Sequence, residues 1–502
     1  MAHGKKNIVV VSNRLPVVLS REAEGWNVEP GSGGLVTALA PVLRDRGGIW
    51  IGWPGTAGDG DIADALETIS GDTGYALVPV ELSAEEIQRH YRGFSNEIIW
   101  PLFHDLQSHC NFDPAYWDSY KDVNRRFAEV ILRTAGSDAF IWLHDYHLML
   151  TAKYLREMGF KGKIGFFLHI PFPALDMYLR LPWRTEILGA LTQCDLIGFQ
   201  TMRDRRNFVQ CVRAILGGAG YRGRGHVCGL TMEDREFRIG AFPISIDFDY
   251  FAERAGSDDV AECAWQIHAN LPDRQLILGV DRMDYSKGIP HRLDAFGRLL
   301  EQHPEWQNRV SLVQIVVPSR RGIPEYEALK TQIERVVGEV NGRFTQRTGW
   351  VPVHYLHRSL SQTELIAYYR TSEIALLTPL KDGMNLVAKE YCAASTEETG
   401  VLILSEFAGA VAELGKGALP VNPHDVIGVA ETLHAALGMP IEERRKRMHT
   451  MRRSIRRHDV FHWVDSFLNA SFAKDLNSFP VIDDLPTHHH PNPAERTVDL
   501  GK

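Results

Sequence analysis

Apolar residues along this chain fall into short β-branched runs, separated by longer segments in which they recur every three or four positions. The runs Ile8–Ser12, Ile49–Gly52, Ala76–Val80, Phe140–His144, Lys163–His169, Leu196–Phe199 and Arg238–Phe242 predict one set of strands. Leu276–Val280, Val310–Val317, His354–Leu356, Ile374–Thr378 and Val401–Ser405 predict a second. Ala115–Thr134, Arg203–Leu216, His291–Glu301 and Tyr326–Val340 carry helical spacing between them. Such alternation implies parallel sheets with crossover helices. Runs that are nearly all apolar suit strands covered on both faces. The two sets part near residues 244–256, where Phe242-Pro-Ile-Ser-Ile-Asp247 leads into the polar Arg254-Ala-Gly-Ser-Asp-Asp259. The expected fold is α/β, with two Rossmann-like domains at 1–245 and 246–475 and their parallel sheets facing a central cleft. The last helix is free to cross back to the first domain. Residues 476–502, rich in Pro, Asp and His, read as a disordered tail that includes His488-His489-His490.

Composition narrows the class. A net charge of −8 over 502 residues argues against a general nucleic-acid or membrane-surface binder. The six cysteines are scattered without a CxxC pair, so neither a disulfide framework nor a zinc site is indicated. A reducing cytoplasm fits best. The first apolar run, Ile8–Val11, reads as a strand and not as a signal peptide. No stretch approaches the roughly 20 apolar residues of a membrane span.

The chemistry gathers where strands end. Asp382-Gly383 breaks the run Ile374–Leu377, and a helix-forming stretch follows from Asn385. That order puts free backbone amides at a helix start, a ready site for a phosphate. Asp382 before the amides and Glu390 inside the helix could accept from sugar and ribose hydroxyls, which suits a nucleotide-sugar. Arg282 and Lys287 place two cations after another strand, where they would stabilise a diphosphate that gains charge as its bond to sugar breaks. Arg14 ends the first strand, and its guanidinium fits a phosphate bidentately. The pair Arg320-Arg321 could join it. Gly31-Ser32-Gly33-Gly34 opens a helical run and reads either as a flexible turn or as close approach to a phosphate. In His144-Asp145-Tyr146-His147 no third ligand stands at metal-like spacing, so Asp145 reads as an acceptor for substrate hydroxyls. His169 reads equally as a structural residue or as a site residue. Trp53, Tyr91 and Trp100 supply aromatic faces on which a sugar packs.

Eight blocks in one order carry a resemblance that spans residues 7 to 470: Val10-Val-Ser-Asn-Arg14, Gly33-Gly34-Leu35, Trp50-Ile-Gly-Trp53, Phe94-Ser-Asn96 with Trp100-Pro101, Trp142-Leu-His-Asp-Tyr-His147, Gly165-Phe-Phe-Leu-His-Ile-Pro-Phe-Pro173, Arg282-Met-Asp-Tyr-Ser-Lys-Gly288 and Asp382-Gly-Met-Asn-Leu-Val-Ala-Lys-Glu390. The set resembles the trehalose-6-phosphate synthase family, which implies a retaining GT-B glycosyltransferase that needs no metal or other cofactor. The substrates implied are UDP-glucose and glucose 6-phosphate. Carried over by motif, Arg14, Tyr91, Trp100 and Arg320 would hold the acceptor phosphate, and Asp145 and Trp53 the acceptor sugar. Arg282, Lys287, Gly34, Gly383 and the amides of Met384, Asn385 and Leu386 would cradle the donor diphosphate. Asp382 and His169 would hold donor hydroxyls, and Glu390 the ribose. The family is proposed to react on one face of the donor, with the leaving diphosphate taking the acceptor proton.

The resemblance also implies a separate trehalose-phosphate phosphatase downstream, since no phosphatase domain follows, and it is compatible with a homo-oligomer. Arg321 beside Arg320 departs from many bacterial members, and the loop Leu356–Gln362 varies within the family, which leaves the nucleotide base open. The rivals are a transferase with another acceptor (glucosylglycerol-phosphate synthase or a cyclitol-coupling pseudo-glycosyltransferase) and a silent sugar-phosphate sensor. The presence of Arg282, Lys287 and Asp382 argues against the sensor.

Overall fold

Ile8–Arg14 shows how the sheet forms. Ile8 and Val10 bury into one apolar cluster and Val9 and Val11 into another, as a strand covered on both faces requires. In this computed structural model residues 8–473 are described, apart from 23–24, 32–33, 58–61, 63–65, 68–69, 72, 219, 224, 233–234, 272–273, 320–323 and 347–348. The expected tail therefore lies outside the described residues.

The first half contributes β1 (Ile8–Arg14), β2 (Val17–Glu22), β3 (Gly25–Pro30), β4 (Ile49–Trp53), β5 (Ala76–Pro79), β6 (Phe140–His144), β7 (Ile164–Phe167), β8 (Leu196–Phe199), β9 (Gly220–Arg222), β10 (Val227–Met232) and β11 (Arg235–Ala241). Among the described residues nine of these form one sheet in the order β5-β4-β1-β6-β7-β8-β11-β10-β9, and β2 and β3 pair as a separate hairpin. All pairings in the nine-stranded sheet are parallel except those of β10 with its neighbours. The second half contributes β12 (Gln275–Arg282), β13 (Val310–Val317), β14 (Val353–Leu356), β15 (Ile374–Leu377), β16 (Val401–Ser405) and β17 (Leu419–Val421). They form a parallel sheet in the order β14-β13-β12-β15-β16-β17.

Both sheets are doubly wound. The chain leaves β1 toward β4 and β5 and returns on the other side at β6, and it leaves β12 toward β13 and β14 and returns at β15. A crevice opens beyond the strand ends at each reversal, where ligands of such sheets bind. The strands expected from the apolar runs are present, with ends shifted by a few residues. The hairpin β2–β3 and the strands β9, β10 and β17 were not expected. Their short runs mix polar and apolar positions and lack the continuous apolar signal.

The polar stretch expected to separate the two strand sets is largely helical. Phe248–Ala255 and Asp258–Asn270 are helices, and Gly256 and Ser257 join them. Asp247 caps the first by accepting from the Tyr250 N–H at 3.0 Å, which explains the polar residues at its start. A longer surprise is residues 84–103. Ser83 and Glu86 form a capping box, and the helix then continues in π winding over Ile87–Ile99 before Trp100–Phe103. Extended π winding is rare and concentrates at functional sites; Tyr91 and Trp100 both project from this segment.

The last helix, Val460–Phe472, packs against residues of the first sheet. Trp463 Nε1 donates to the Phe242 carbonyl (3.1 Å), and Arg238 donates to the carbonyls of Ala470 and Ala473 (2.6 Å each). Phe467 stacks on Trp142 at 4.7 Å and lies in a slot left open by Gly165 and Gly198. Among the described residues no helix is long and apolar enough to cross a membrane. Because Phe467 is fully buried in that slot, Phe467→Ala should lower stability by about 3–5 kcal/mol. Urea unfolding of the intact chain measures this, and an unchanged midpoint would mean that the helix adds nothing to the first sheet.

Candidate active site

Several of the residues singled out from the sequence, Arg14, Trp53, Asp145, His169 and Arg282, stand at or just beyond the carboxyl ends of strands. Arg14 is the last residue of β1 and pairs in register with Trp53, the last of β4. Its guanidinium lies 4.5 Å from the Trp53 ring and 5.5 Å from the Tyr91 ring, and those two rings are 5.7 Å apart. An exposed cation between two aromatic walls can hold an anion whose attached sugar packs on the rings.

Asp145 follows β6 with φ +74°, a conformation that costs a non-glycine residue free energy and is found at functional sites. Its Oδ1 accepts the His169 backbone N–H at 3.2 Å. Burial pushes the Asp145 carboxyl up to about 6, with the N–H donors of Tyr146 and His169 opposing part of that rise. His169, just past β7, has Nε2 3.0 Å from His144 Nδ1. Burial takes His169 down to about 3 and His144 well below its ordinary value, so both rings are neutral near pH 7.

Across the cleft, Asp382 accepts from Lys287 Nζ at 2.6 Å and from Asn385 Nδ2 at 3.2 Å. Burial alone would raise Asp382, but the Lys287 charge and hydrogen bond outweigh it and hold the carboxyl below its usual value. Asn385 sits at φ +78° and caps the helix Leu386–Ala394 by accepting the Ala388 N–H (3.0 Å). The first-turn amides of that helix have no intrahelical acceptor. Glu390 accepts from the Tyr369 hydroxyl at 2.7 Å, and burial raises its carboxyl. Beneath the strand ends the fully buried Arg292 bonds Asp281, Gln314 (3.1 Å) and Thr378 (3.2 Å), which ties β12, β13 and the end of β15 together.

Several contacts join the two sides. Gly383 lies so close to the His169 carbonyl that a Cβ there would overlap it. Trp100 Nε1 donates to Asp284 Oδ1 (3.3 Å), and the Arg282 guanidinium lies 5.7 Å from the Trp100 ring. Lys381 pairs with Asp105 at 2.5 Å. Lys389, fully buried, reaches the Ile244 carbonyl (2.8 Å) and Glu413 (2.7 Å), so the helix carrying Glu390 is fastened to the segment that leads out of the first sheet.

Arg14, Trp53 and Tyr91 thus form one corner, and Asp145 and His169 a second. Arg282, Lys287, Asp382, Gly383, Met384, Asn385, Leu386 and Glu390 line the opposite side. Trp100 stands at the junction, next to Arg282 and Asp284. Gly34 begins the helix Gly34–Arg46. Arg320 lies outside the described residues, as does Arg321. Three residues escaped the sequence reading. Asp284 was passed over between two cations, although its carboxylate also accepts the Ser286 N–H (2.9 Å), a local turn that Asp-x-Ser could have signalled. His144 was read only as half of an H-x-x-H pair. Nothing local marks Lys389, because a buried lysine looks like any helical lysine.

A groove of about 590 Å³ lined by Arg205, Arg206, Arg213 and Tyr221 opens along the helix Met202–Ile215. It contains none of the strand-end residues.

Two doubly wound domains with cations and a capped helix start on one side of the cleft, and an arginine, a carboxyl group and a neutral histidine on the other, have the architecture of a GT-B glycosyltransferase. The chain belongs to glycosyltransferase family 20, whose family model matches residues 6–472. It is similar to the trehalose-6-phosphate synthase of Mycobacterium avium, 44% identical over 477 residues that cover 93% of this chain and 96% of the relative. Among solved structures it is similar to an α,α-trehalose-phosphate synthase (UDP-forming) from Burkholderia xenovorans in complex with glucose-6-phosphate, with TM-score 0.83 and 36% identity over 93% of this chain and 99% of that one. The E. coli trehalose-6-phosphate structure bound with UDP-2-fluoro glucose matches with TM-score 0.83 and 36% identity, over 93% of this chain and 98% of that one.

Asp145 gives the site a pH signature. Between about pH 4 and 6 the folded chain keeps a proton on Asp145 that the unfolded chain, with an ordinary Asp near 3.9, has lost. Its contribution to stability is therefore greatest below that window and falls as pH rises through it. Asp145→Asn keeps an acceptor without the titration. The stability of wild type relative to the variant should drop by about 2–3 kcal/mol between roughly pH 4 and 6.5. Urea unfolding at the two pH values measures it, and a pH-independent difference would mean that Asp145 ionises normally.

Proposed function

We propose that this enzyme transfers glucose from UDP-glucose to C1 of glucose 6-phosphate, giving α,α-trehalose 6-phosphate and UDP with retention at the donor carbon. The observation that carries the reading is the pairing of two anion sites across one cleft. Arg14 stands in its aromatic corner on one side. Arg282, Lys287 and the capped helix start stand on the other. One anion site suits the phosphate of the acceptor and the other the diphosphate of the donor.

On this reading residues 1–245 bind the acceptor and 246–475 the nucleotide-sugar, with the last helix returning to the first domain. Arg14, Tyr91, Trp100 and Arg320 surround the acceptor phosphate, and Trp53 and Asp145 face its sugar. Gly34, Gly383 and the amides of Met384, Asn385 and Leu386 complete the diphosphate cradle around Arg282 and Lys287. The incoming diphosphate takes over Lys287, and Asp382, released from that ion pair, accepts from a hydroxyl of the donor sugar. His169 holds another hydroxyl. Glu390 accepts from the ribose.

The bond from the donor C1 to the diphosphate oxygen breaks as a bond from C1 to the acceptor hydroxyl oxygen forms on the same face. The acceptor proton passes to the departing diphosphate, whose growing charge Arg282 and Lys287 stabilise. These fixed cations supply the charge that a metal would otherwise bring, and no enzymic nucleophile is required. A separate trehalose-phosphate phosphatase would consume the product, the cytoplasm would be the compartment, and self-association is compatible with the site.

Release of the nucleoside diphosphate from UDP-, GDP- and ADP-glucose, each against glucose 6-phosphate and glycerol 3-phosphate, tests the pairing. Turnover confined to glycerol 3-phosphate would overturn the acceptor assignment. Arg282→Ala should lower kcat by roughly 100- to 1000-fold, the cost of removing one donor aimed at developing charge; near-normal turnover would remove Arg282 from the mechanism. Arg14→Ala should raise KM for glucose 6-phosphate by about 10- to 100-fold, as loss of a charge-assisted bond implies. KM for UDP-glucose should hold. Equal changes in both would place Arg14 outside the acceptor site.

A further inference from the structure

We propose that His144 is a positioning residue for His169. It donates from Nδ1 to His169 Nε2, which leaves His169 with its proton on Nδ1 as a hydrogen-bond donor facing the cleft. The inference rests on the reading of His169 as a residue that holds a substrate hydroxyl.

The two rings meet at 3.0 Å between His144 Nδ1 and His169 Nε2, with centroids 5.3 Å apart. A hydrogen bond between two neutral imidazoles holds one proton, and whichever ring supplies it dictates the tautomer of the other. His144 is fully buried, and its Nε2 has no partner among the described residues. If that nitrogen carried the proton, a buried N–H would be stranded. If it is bare, only a lone pair is left unmatched. The neighbour decides between these states. Trp142, two residues earlier on β6, has its ring 4.8 Å from the His144 ring, and its indole N–H is itself buried without an acceptor among the described residues. An indole nitrogen can only donate. With an N–H donor on the neighbouring ring, a bare Nε2 on the His144 ring is the better electrostatic match than a second N–H. His144 therefore carries its proton on Nδ1 and donates to His169.

His169 is well held to receive it. Its backbone N–H goes to Asp145 Oδ1 at 3.2 Å and its carbonyl accepts from Gln200 Nε2 at 3.4 Å. His169 is only partly buried as a residue, and its Nδ1 makes no hydrogen bond among the described residues. That nitrogen is the one left for substrate. The sense of the bond matters because Asp382, across Gly383, is a carboxylate and only accepts. With the opposite tautomer the cleft would present acceptors at both Asp382 and His169, and each would demand a hydroxyl proton. With a donor at His169, a sugar hydroxyl oxygen is met by a proton on one side, and the hydroxyl protons remain for Asp382.

The direct test is nitrogen NMR of the unliganded full chain with isotopically labelled histidine, His169 being assigned by comparison with His144→Asn. A protonated Nδ1 and bare Nε2 on His169 is the expected result; the reverse overturns the proposal. Kinetics supply the second readout. Asn places an amide N–H where Nδ1 stood, so His144→Asn should keep kcat/KM for UDP-glucose within about threefold. His144→Leu, closer to histidine in volume but with no donor, should lower it about tenfold or more, the range of one lost hydrogen bond. A role in packing alone predicts the opposite order, with the smaller Asn the more damaging, and that order would also overturn the proposal. The NMR result does not depend on any substrate. Failure of wild-type turnover with UDP-glucose would thus defeat the functional reading, whereas a bare His169 Nδ1 in an active enzyme would defeat only this inference.

Discussion

The site depends on the backbone of Gly383 lying against the carbonyl of His169. A side chain at 383 would hold the two sheets apart at the point where their strand reversals face each other. Gly409 lies equally close behind Gly383, so three stretches of main chain stack through the middle of the cleft. Around that contact the longer reaches follow: Trp100 to Asp284, Lys381 to Asp105, and Lys389 to the Ile244 carbonyl. Each reaches from one sheet, or the segment that leaves it, to the other. A fold of two sheets can hold its strand ends facing one another only if something sets their separation, and here close glycine backbones do so.

Burial then assigns the chemical states. His144 and His169 stay neutral because a charge there would be stranded without a counter-ion. The same low-dielectric setting raises Asp145 to about 6, whereas Asp382 is held down by an ammonium group 2.6 Å away. Two carboxylates of one cleft therefore titrate in opposite directions for reasons visible in their neighbours. The Lys287–Asp382 pair also means that the unliganded site is already satisfied. A substrate that competes for Lys287 has to offer more than one carboxylate oxygen, which a diphosphate does.

Much of this could be read in advance from particular residues. Arg14, Asp145, His169, Arg282 and Asp382 all follow apolar runs, and in a doubly wound sheet the residues after the runs are those at the crevice. Asn385 could be read as a helix start because Gly-Met-Asn interrupts one pattern before another begins. Other features had no local signature. The π-wound segment 87–99 packs against the helix Pro114–Thr134, where Gly93 faces the Tyr116 ring. The helix at 248–255 hid behind polar residues that proved to be its caps and surface. Trp100 was read as one sugar-packing aromatic among three, yet its indole N–H is directed at Asp284, a partner 184 positions away.

By itself the sequence determined the α/β class, the two strand sets, the strand-end residues that carry charge, and the order of blocks that marks the family. Those properties are local: periodicity, breaks in periodicity, and residue types at the breaks. Only the tertiary structure decided which of these residues meet, that Lys287 rests on Asp382, that His144 backs His169, and that the last helix closes over the first sheet. Hydrogen bonds and burial between residues far apart in the chain depend on packing distances of a few ångströms, and no pattern along the chain encodes those distances.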